Sequence, residues 1–256
     1  MLLAIDVGNT EIKLGVFEGH DLRVSWRWST DPYKLADEYA AQLGWLLQTA
    51  GLPRESVGRV VVSSVVPRLT EAFSELGSGY FGCAPLQVSS SIQTGIALIV
   101  DRPEEVGADR IANAVATKTL YRTPAIVVDF GTATTFDVIS GEGDFIGGCF
   151  APGLVAAVDG LLSRAARLQR FDFVAPDKVI GTNTIACLQA GTIFGYVGLV
   201  EGLVARIEHE MGQKALVLGT GGLVEIIANQ TRAINVVDEH LTLHGLRVLA
   251  DLNSKD

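Results

Sequence analysis

Cysteine is scarce. Cys83, Cys149 and Cys187 are the only three in 256 residues, and none forms a CxxC pair. An odd number without that spacing argues against a disulfide framework or a structural zinc site, and a reducing cytoplasm is the simplest setting. Positive charge is also short: 20 Lys and Arg stand against 29 Asp and Glu, a formal net charge of -9. Phosphate backbones and anionic lipid surfaces reward the opposite balance, so neither nucleic acid nor membrane is an expected partner. No apolar run reaches the roughly 20 residues that span a bilayer; the strongest stretch, Ala190 to Val200, stops at Glu201. The opening residues meet Asp6 with no basic leader before it, which does not read as a signal peptide. No GxxxxGK[ST] occurs, so a P-loop kinase is excluded. His240 and His244 have metal-ligand spacing but no third ligand, and read as packed or solvated side chains.

Apolar residues make up 48% of the chain, charged ones 19%, and 28 are glycine, a composition that folds and turns tightly. The length fits one large domain or two of roughly 110–150 residues. Strand patterns run over Leu2–Ile5, Ile12–Phe17 and Leu22–Trp28, and Val57–Val66 contains the buried run Arg59–Val62. Helical spacing covers Leu35–Ala50, Leu69–Leu76 and Val106–Tyr121. The opening pattern then returns as strands over Pro124–Val128, Phe136–Ile139 and Asp144–Phe150. Helical patterns follow at Leu154–Arg167 and Asn183–Met211, then a strand at Lys214–Leu218 and a helix start at Leu223–Ala228. Strands alternating with helices in both halves predict an α/β protein, with residues 1–120 as one domain and 121–256 as a related second one.

The chemistry concentrates in the turns. Asp6-Val7-Gly8-Asn9-Thr10 and Asp129-Phe130-Gly131-Thr132, 123 positions apart, each end an apolar strand with Asp-x-Gly. A carboxylate there is costly unless something binds it, and the glycine lets backbone N–H groups approach a ligand. Two such loops across a cleft would grip a polyphosphate while their carboxylates hold a cation. Gly219-Thr220-Gly221-Gly222 runs from a strand into a helix, a turn that can accept a nucleotide. By contrast, Gly77 to Gly82 matches GxGxxG but follows a helix, the wrong context for a dinucleotide fold. Gly107-Ala108-Asp109-Arg110 sets a potential general base beside a guanidinium able to clamp a carboxylate, or else caps a helix. Gly147-Gly148 with Pro152-Gly153 shapes a pocket or turns a corner. Gly191, Gly195, Gly198 and Gly202 suit close helix packing, as at a homodimer interface.

In this order and spacing these motifs resemble type III pantothenate kinase, from Leu3 to about Leu246. The resemblance implies two duplicated ribonuclease-H-like domains of the actin-like ATPase superfamily with a nucleotide cleft between them. It implies ATP-dependent phosphorylation of pantothenate at its 4′-hydroxyl, the first step of coenzyme A biosynthesis, by a cytoplasmic homodimer. Asp6, Val7, Gly8, Asn9, Thr10, Glu11, Ile12 and Lys13 would form the first phosphate loop, with Asp6 on the Mg²⁺ side. Gly131, Thr132, Gly221 and Gly222 would contact ATP, and Asp129 would bind a monovalent cation, K⁺ or NH₄⁺. Gly107, Ala108, Asp109, Arg110 and Thr184 would hold pantothenate, with Asp109 taking the hydroxyl proton. Val100 departs from the Tyr that many members carry there and gives up a hydroxyl at the pantothenate site. Ala151 stands where Thr is common. A related kinase with another acceptor, or a non-catalytic nucleotide-binding regulator, would be the competing readings.

Overall fold

The computed structural model describes residues 1–254. The first sheet takes β1 (Leu2–Val7), β2 (Glu11–Glu18), β3 (Asp21–Ser29), β4 (Arg59–Ser64) and β5 (Leu86–Gln87) in the order β3-β2-β1-β4-β5. The second takes β6 (Ala125–Phe130), β7 (Ala133–Ile139), β8 (Phe145–Pro152), β9 (Leu216–Thr220) and β10 (Val236–Val237) in the order β10-β9-β6-β7-β8. Counted from its own first strand, each sheet has the same order. The first strand is antiparallel to the second and parallel to the fourth in both. Even the irregularities correspond: a register shift lies between Val16 and Phe17 in one sheet and between Val138 and Ile139 in the other. Each follows by three positions the residue paired with the strand-end aspartate, Lys13 with Asp6 and Thr135 with Asp129. A bulge kept at the same place in both copies marks a duplication, because it sets how the hairpin twists.

Among the described residues, seven α-helices accompany the strands: α1 (Ala36–Thr49), α2 (Pro67–Tyr80), α3 (Ala108–Leu120), α4 (Leu154–Leu162), α5 (Thr184–Met211), α6 (Val224–Ala228) and α7 (Leu241–Leu252). Pro67 takes the first helical position, where its missing N–H is no loss, so α2 begins before the expected Leu69. It also runs into the GxGxxG segment, ending at Tyr80. Gly77 is there for packing, since a Cβ would lie 2.2 Å from Pro85 Cγ. α4 ends at Leu162, short of the expected Arg167, because Ser163, Arg164, Ala166 and Arg167 are exposed and offer no face to bury.

The chain forms two compact units, Met1–Tyr121 with the segment from His240 onward, and Arg122–Glu239. In the first, Leu3, Ile5 and Val7 pack against Leu43, Leu69 and Phe73 of α1 and α2. On the opposite face, Leu2, Ala4 and Val61 pack against Ile111 and Val115 of α3 and Leu246 and Leu249 of α7. In the second unit, Ile126, Val128 and Phe136 pack against Ile193, Val200, Val224 and Ile227 of α5 and α6.

The expected second domain, 121–256, therefore loses its last helix to the first unit. α7 follows β10 as α3 follows β5, so the closing helix of the second copy lies beside that of the first. Gly245 makes this possible: a Cβ there would fall 1.9 Å from the Ala112 carbonyl oxygen. The buried Thr242 hydroxyl also donates to Asn113 Oδ1 at 2.8 Å. α5 occupies the helical span expected over Asn183–Met211. By length and composition it could cross a membrane, with a mean hydropathy of 1.4 over its best 18 residues. The stretch Ala190–Val200 lies within this longer helix, and one face of the helix is core: Ala190, Ile193, Tyr196, Val197, Val200 and Val204 are buried.

Gly245→Ala should lower the unfolding free energy by about 3 kcal/mol, because backbone rather than a flexible side chain blocks the added methyl. Chemical denaturation would report this as an earlier midpoint; an unmoved midpoint would show that α7 does not pack as described.

Candidate active site

In the first unit, β1 delivers Asp6 to the carboxyl end of a parallel pair. In register, Asp6 lies opposite Lys13 of β2 and Ser63 of β4. All three are on the sheet face that also bears Leu2, Ala4 and Val61, and α3 and α7 cover that face. The following loop is tight. Gly8 N–H donates to the Glu11 carbonyl at 3.0 Å, and a Cβ on Gly8 would sit 2.9 Å from that same oxygen. Thr30 clamps the loop from β3's end, its hydroxyl donating to the Gly8 carbonyl at 2.7 Å and its N–H to the Thr10 carbonyl at 3.0 Å. Asn9 and Thr10 are exposed at the tip, open to a ligand.

The helix α3 opens at the Gly107-Ala108-Asp109-Arg110 motif. Asp109 turns its carboxylate back, and Oδ1 accepts the Arg110 N–H at 2.9 Å. A helix N-terminus favours that negative charge. Gly107 leaves the space: a Cβ there would lie 2.4 Å from Asp109 Oδ1. Asp109 and Arg110 remain half-buried, held without being sealed from solvent. Two surface cavities of about 260 and 460 Å³ in this unit are lined by other residues, neither by Asp6 nor by Asp109.

The second unit repeats the strand-end arrangement with a loop one residue shorter. Asp129 lies in register with Thr135 of β7 and Thr220 of β9. Gly131 N–H donates to the Ala133 carbonyl at 3.1 Å. Two other glycine turns close on this loop. Gly221, with φ 95°, would place a Cβ 2.6 Å from Asp129 Oδ1, and Gly153 would place one 2.2 Å from the Thr132 carbonyl. The Pro152-Gly153 turn thus backs the loop, and Gly153 N–H donates to that carbonyl at 3.2 Å. Gly222 faces open space. Asp129, Gly131, Thr132 and Gly221 are therefore brought together.

Behind them, Tyr196 of α5 donates to the Pro152 carbonyl at 2.6 Å and lies 2.6 Å from the Thr134 hydroxyl. Burial raises the Tyr196 pKa, partly offset by the Thr134 hydrogen bond. Thr184 begins α5, where the Asn183 side chain caps the Ala186 N–H at 2.9 Å, and it is exposed. Cys187, one turn into the same helix, is exposed too.

Among the described residues no three His, Cys, Asp or Glu side chains gather into a metal cage. Each unit offers instead one half-buried strand-end carboxylate beside hydroxyls. Such sparse, hard oxygen donors fit cations that take their remaining ligands from phosphate and water. Sequence reasoning passed over Ser63 and gave Thr220, inside its glycine turn, no role of its own. A hydroxyl following a buried apolar run was the signal that could have found both.

A profile of the type III pantothenate kinase family matches residues 2–206. The type III pantothenate kinase of Moorella thermoacetica is 49% identical over 254 residues, covering 99% of this chain and 100% of that one. Among solved structures, a Campylobacter jejuni protein described as a Baf family transcriptional activator has a TM-score of 0.63 at 19% identity, covering 98% of both chains. The polyphosphate/ATP-glucomannokinase of Arthrobacter sp. strain KM has a TM-score of 0.54 at 15% identity, covering 99% of both. These structures share the actin-like ATPase and sugar kinase fold.

Tyr196→Phe should strand the Thr134 hydroxyl and the Pro152 carbonyl, lowering stability by about 1–3 kcal/mol. The raised tyrosine pKa adds stability that is complete below pH ~10 and lost as pH rises further, a loss that Phe cannot show. Thermal unfolding at neutral pH and above pH ~10 tests both points. Equal melting temperatures for the two proteins at both pH values would contradict the account.

Proposed function

This chain belongs to the type III pantothenate kinase family, and from that premise we propose how its residues divide the reaction. The enzyme phosphorylates pantothenate with ATP to give 4′-phosphopantothenate, the first step of coenzyme A biosynthesis. Phosphoryl transfer asks for positioning and charge neutralisation more than for covalent chemistry. The assignment below is carried by the duplicated Asp-x-Gly turn, whose partner register is the same in both units.

The Asp6–Lys13 loop holds ATP phosphates at its exposed Asn9–Thr10 tip, and Lys13, in register with Asp6, adds a cation to that loop. Asp6 holds Mg²⁺, and Asp129 holds a monovalent cation, K⁺ or NH₄⁺. When bound, these ions supply the positive charge that offsets the phosphates, which a chain of net charge -9 otherwise lacks. Gly131 and Thr132 contact ATP beside Asp129, and the open face of Gly222 with Gly221 accepts the nucleoside.

Arg110 pairs with the pantothenate carboxylate, bidentate geometry giving both strength and orientation. Gly107, Ala108 and Thr184 complete that site. Asp109 accepts the proton of the 4′-hydroxyl as the new O–P bond forms and the bridge to the β-phosphate breaks, releasing ADP. An aspartate of pKa about 3.9 in water is a weak base for an alcohol, so the proton moves late, once the oxygen is already bonding to phosphorus. Val100, half-buried before the turn at Pro103–Glu105, leaves the acceptor site without the hydroxyl its relatives' Tyr would bring.

The enzyme acts as a cytoplasmic homodimer, with neither nucleic acid nor membrane as partner. α5 supports the dimer: Gly191, Gly195 and Gly198 are exposed, and a Cβ at any of them would meet nothing within 4 Å of its own chain. Glycines that leave room unused within one chain allow a second helix to approach closely. Light scattering should give twice the 27.2 kDa chain mass, and Gly195→Arg should give one.

ADP release with Mg-ATP, with and without pantothenate, in K⁺ and then Na⁺ buffer tests the main reading. Turnover should require pantothenate and fall in Na⁺. Asp109→Asn should cut kcat by at least ~10²-fold. Gly107→Ala should cost a similar factor by displacing the Asp109 carboxylate, with little change in melting temperature because only a flexible side chain moves. Near-normal turnover of Asp109→Asn would end its assignment as base. ADP release indifferent to pantothenate would point to another acceptor.

A further inference from the structure

We infer that Ser63 and Thr220 are positioning residues, each orienting the strand-end carboxylate beside it, Asp6 or Asp129, towards its cation. This rests on the cation assignment proposed above. Among the described residues, four buried side-chain polar atoms have no hydrogen-bond partner: Ser63 Oγ, Asp137 Oδ2, Thr220 Oγ1 and Arg247 Nε. Two of the four are hydroxyls at the same position of the duplicated sheet. Ser63 is the register partner of Asp6 and Thr220 that of Asp129, each on the parallel neighbouring strand. In-register neighbours carry their side chains on one face at adjacent strand spacing. Both hydroxyl residues are completely buried.

A buried hydroxyl with no partner destabilises a fold, and native proteins contain few of them. Packing alone does not call for these two. Each follows a buried apolar run, Val60–Val62 or Leu216–Leu218, and valine or alanine would fill the space without the penalty. The duplication makes coincidence a poor account, since each unit retains the hydroxyl with a different residue type.

Chemistry supplies a role. A carboxylate that gives one oxygen to a cation has a second oxygen to place, and a hydroxyl donor beside it fixes that oxygen and hence the direction of the first. Groups that hydrogen-bond a ligating side chain in this way tune affinity by about 10- to 100-fold. In this account each hydroxyl is unpaired while no cation is bound, and it takes up its bond to the second carboxylate oxygen when a cation draws the first into place.

The test measures binding and stability apart from turnover. Mn²⁺ binding to the protein with ADP, followed by electron paramagnetic resonance, reads the Asp6 site. The K⁺ concentration that half-saturates thermal stabilisation by ADP reads the Asp129 site. Ser63→Ala should weaken Mn²⁺ binding about tenfold and leave the K⁺ requirement unchanged. Thr220→Val should raise the K⁺ requirement about tenfold and leave Mn²⁺ alone, while Thr220→Ser restores it. Without ligands, both apolar variants should melt about 2–4 °C higher, because an unsatisfied hydroxyl is gone. A lower melting temperature would mark the hydroxyls as structural and overturn the inference. Cation affinities within about twofold of the parent would overturn it as well, provided Asp6→Asn and Asp129→Asn abolish the corresponding binding. If those aspartate variants bind normally, the cation assignment itself fails and the inference falls with it.

Discussion

A carboxylate at the end of a buried central strand must be compensated, and the molecule is organised around meeting that constraint twice. β1 and β6 are apolar except for Asp6 and Asp129, the last residue but one of each strand. Placing a charge there is unfavourable unless backbone donors, a cation or both are brought to it. The duplicated sheet order, the matching bulges and the parallel neighbours β4 and β9 all deliver the same local arrangement to these two residues. The units differ in detail: the loop after Asp129 is one residue shorter, and Thr135 stands where the first unit has Lys13. The first loop therefore carries a fixed positive charge that the second lacks. This agrees with a polyphosphate loop in one unit and a site dependent on a mobile cation in the other.

Close backbone approach is the second theme, and it explains why particular glycines cannot be replaced. Gly221 is in the left-handed region and lies against Asp129, so a side chain there is excluded by conformation and by space together. Gly153 abuts the Thr132 carbonyl, and Gly107 leaves the place that the Asp109 carboxylate occupies. In each case the missing Cβ sets the position of a neighbouring polar group. Acidic overall charge is then no obstacle to a polyanionic substrate, because local amides and bound cations, not net charge, set the field at the phosphates.

Much of this was legible in the amino-acid sequence. The paired Asp-x-Gly turns, the Gly107–Arg110 motif and the alternation of strands with helices rest on strong local signals. The residues left unread failed for physical reasons. β5 and β10 have two residues each, too few to show a period. α7 carries helical spacing in Leu243, Leu246, Leu249 and Ala250, but His244, with His240 just before the helix, suggested ligand chemistry instead. Its return to the first unit depends on the Gly245–Ala112 contact, a tertiary fact with no local signature. Ser63 and Thr220 escaped because a hydroxyl late in a strand looks ordinary until its neighbour across the ladder is known.

The most direct test of the account is anomalous diffraction from crystals grown with a non-hydrolysable ATP analogue, Mn²⁺ and Tl⁺. The account predicts a manganese peak in contact with the Asp6 carboxylate and a thallium peak in contact with that of Asp129. Both ions bound away from the two carboxylates, or both on the same one, would contradict the division of labour between the duplicated strand ends.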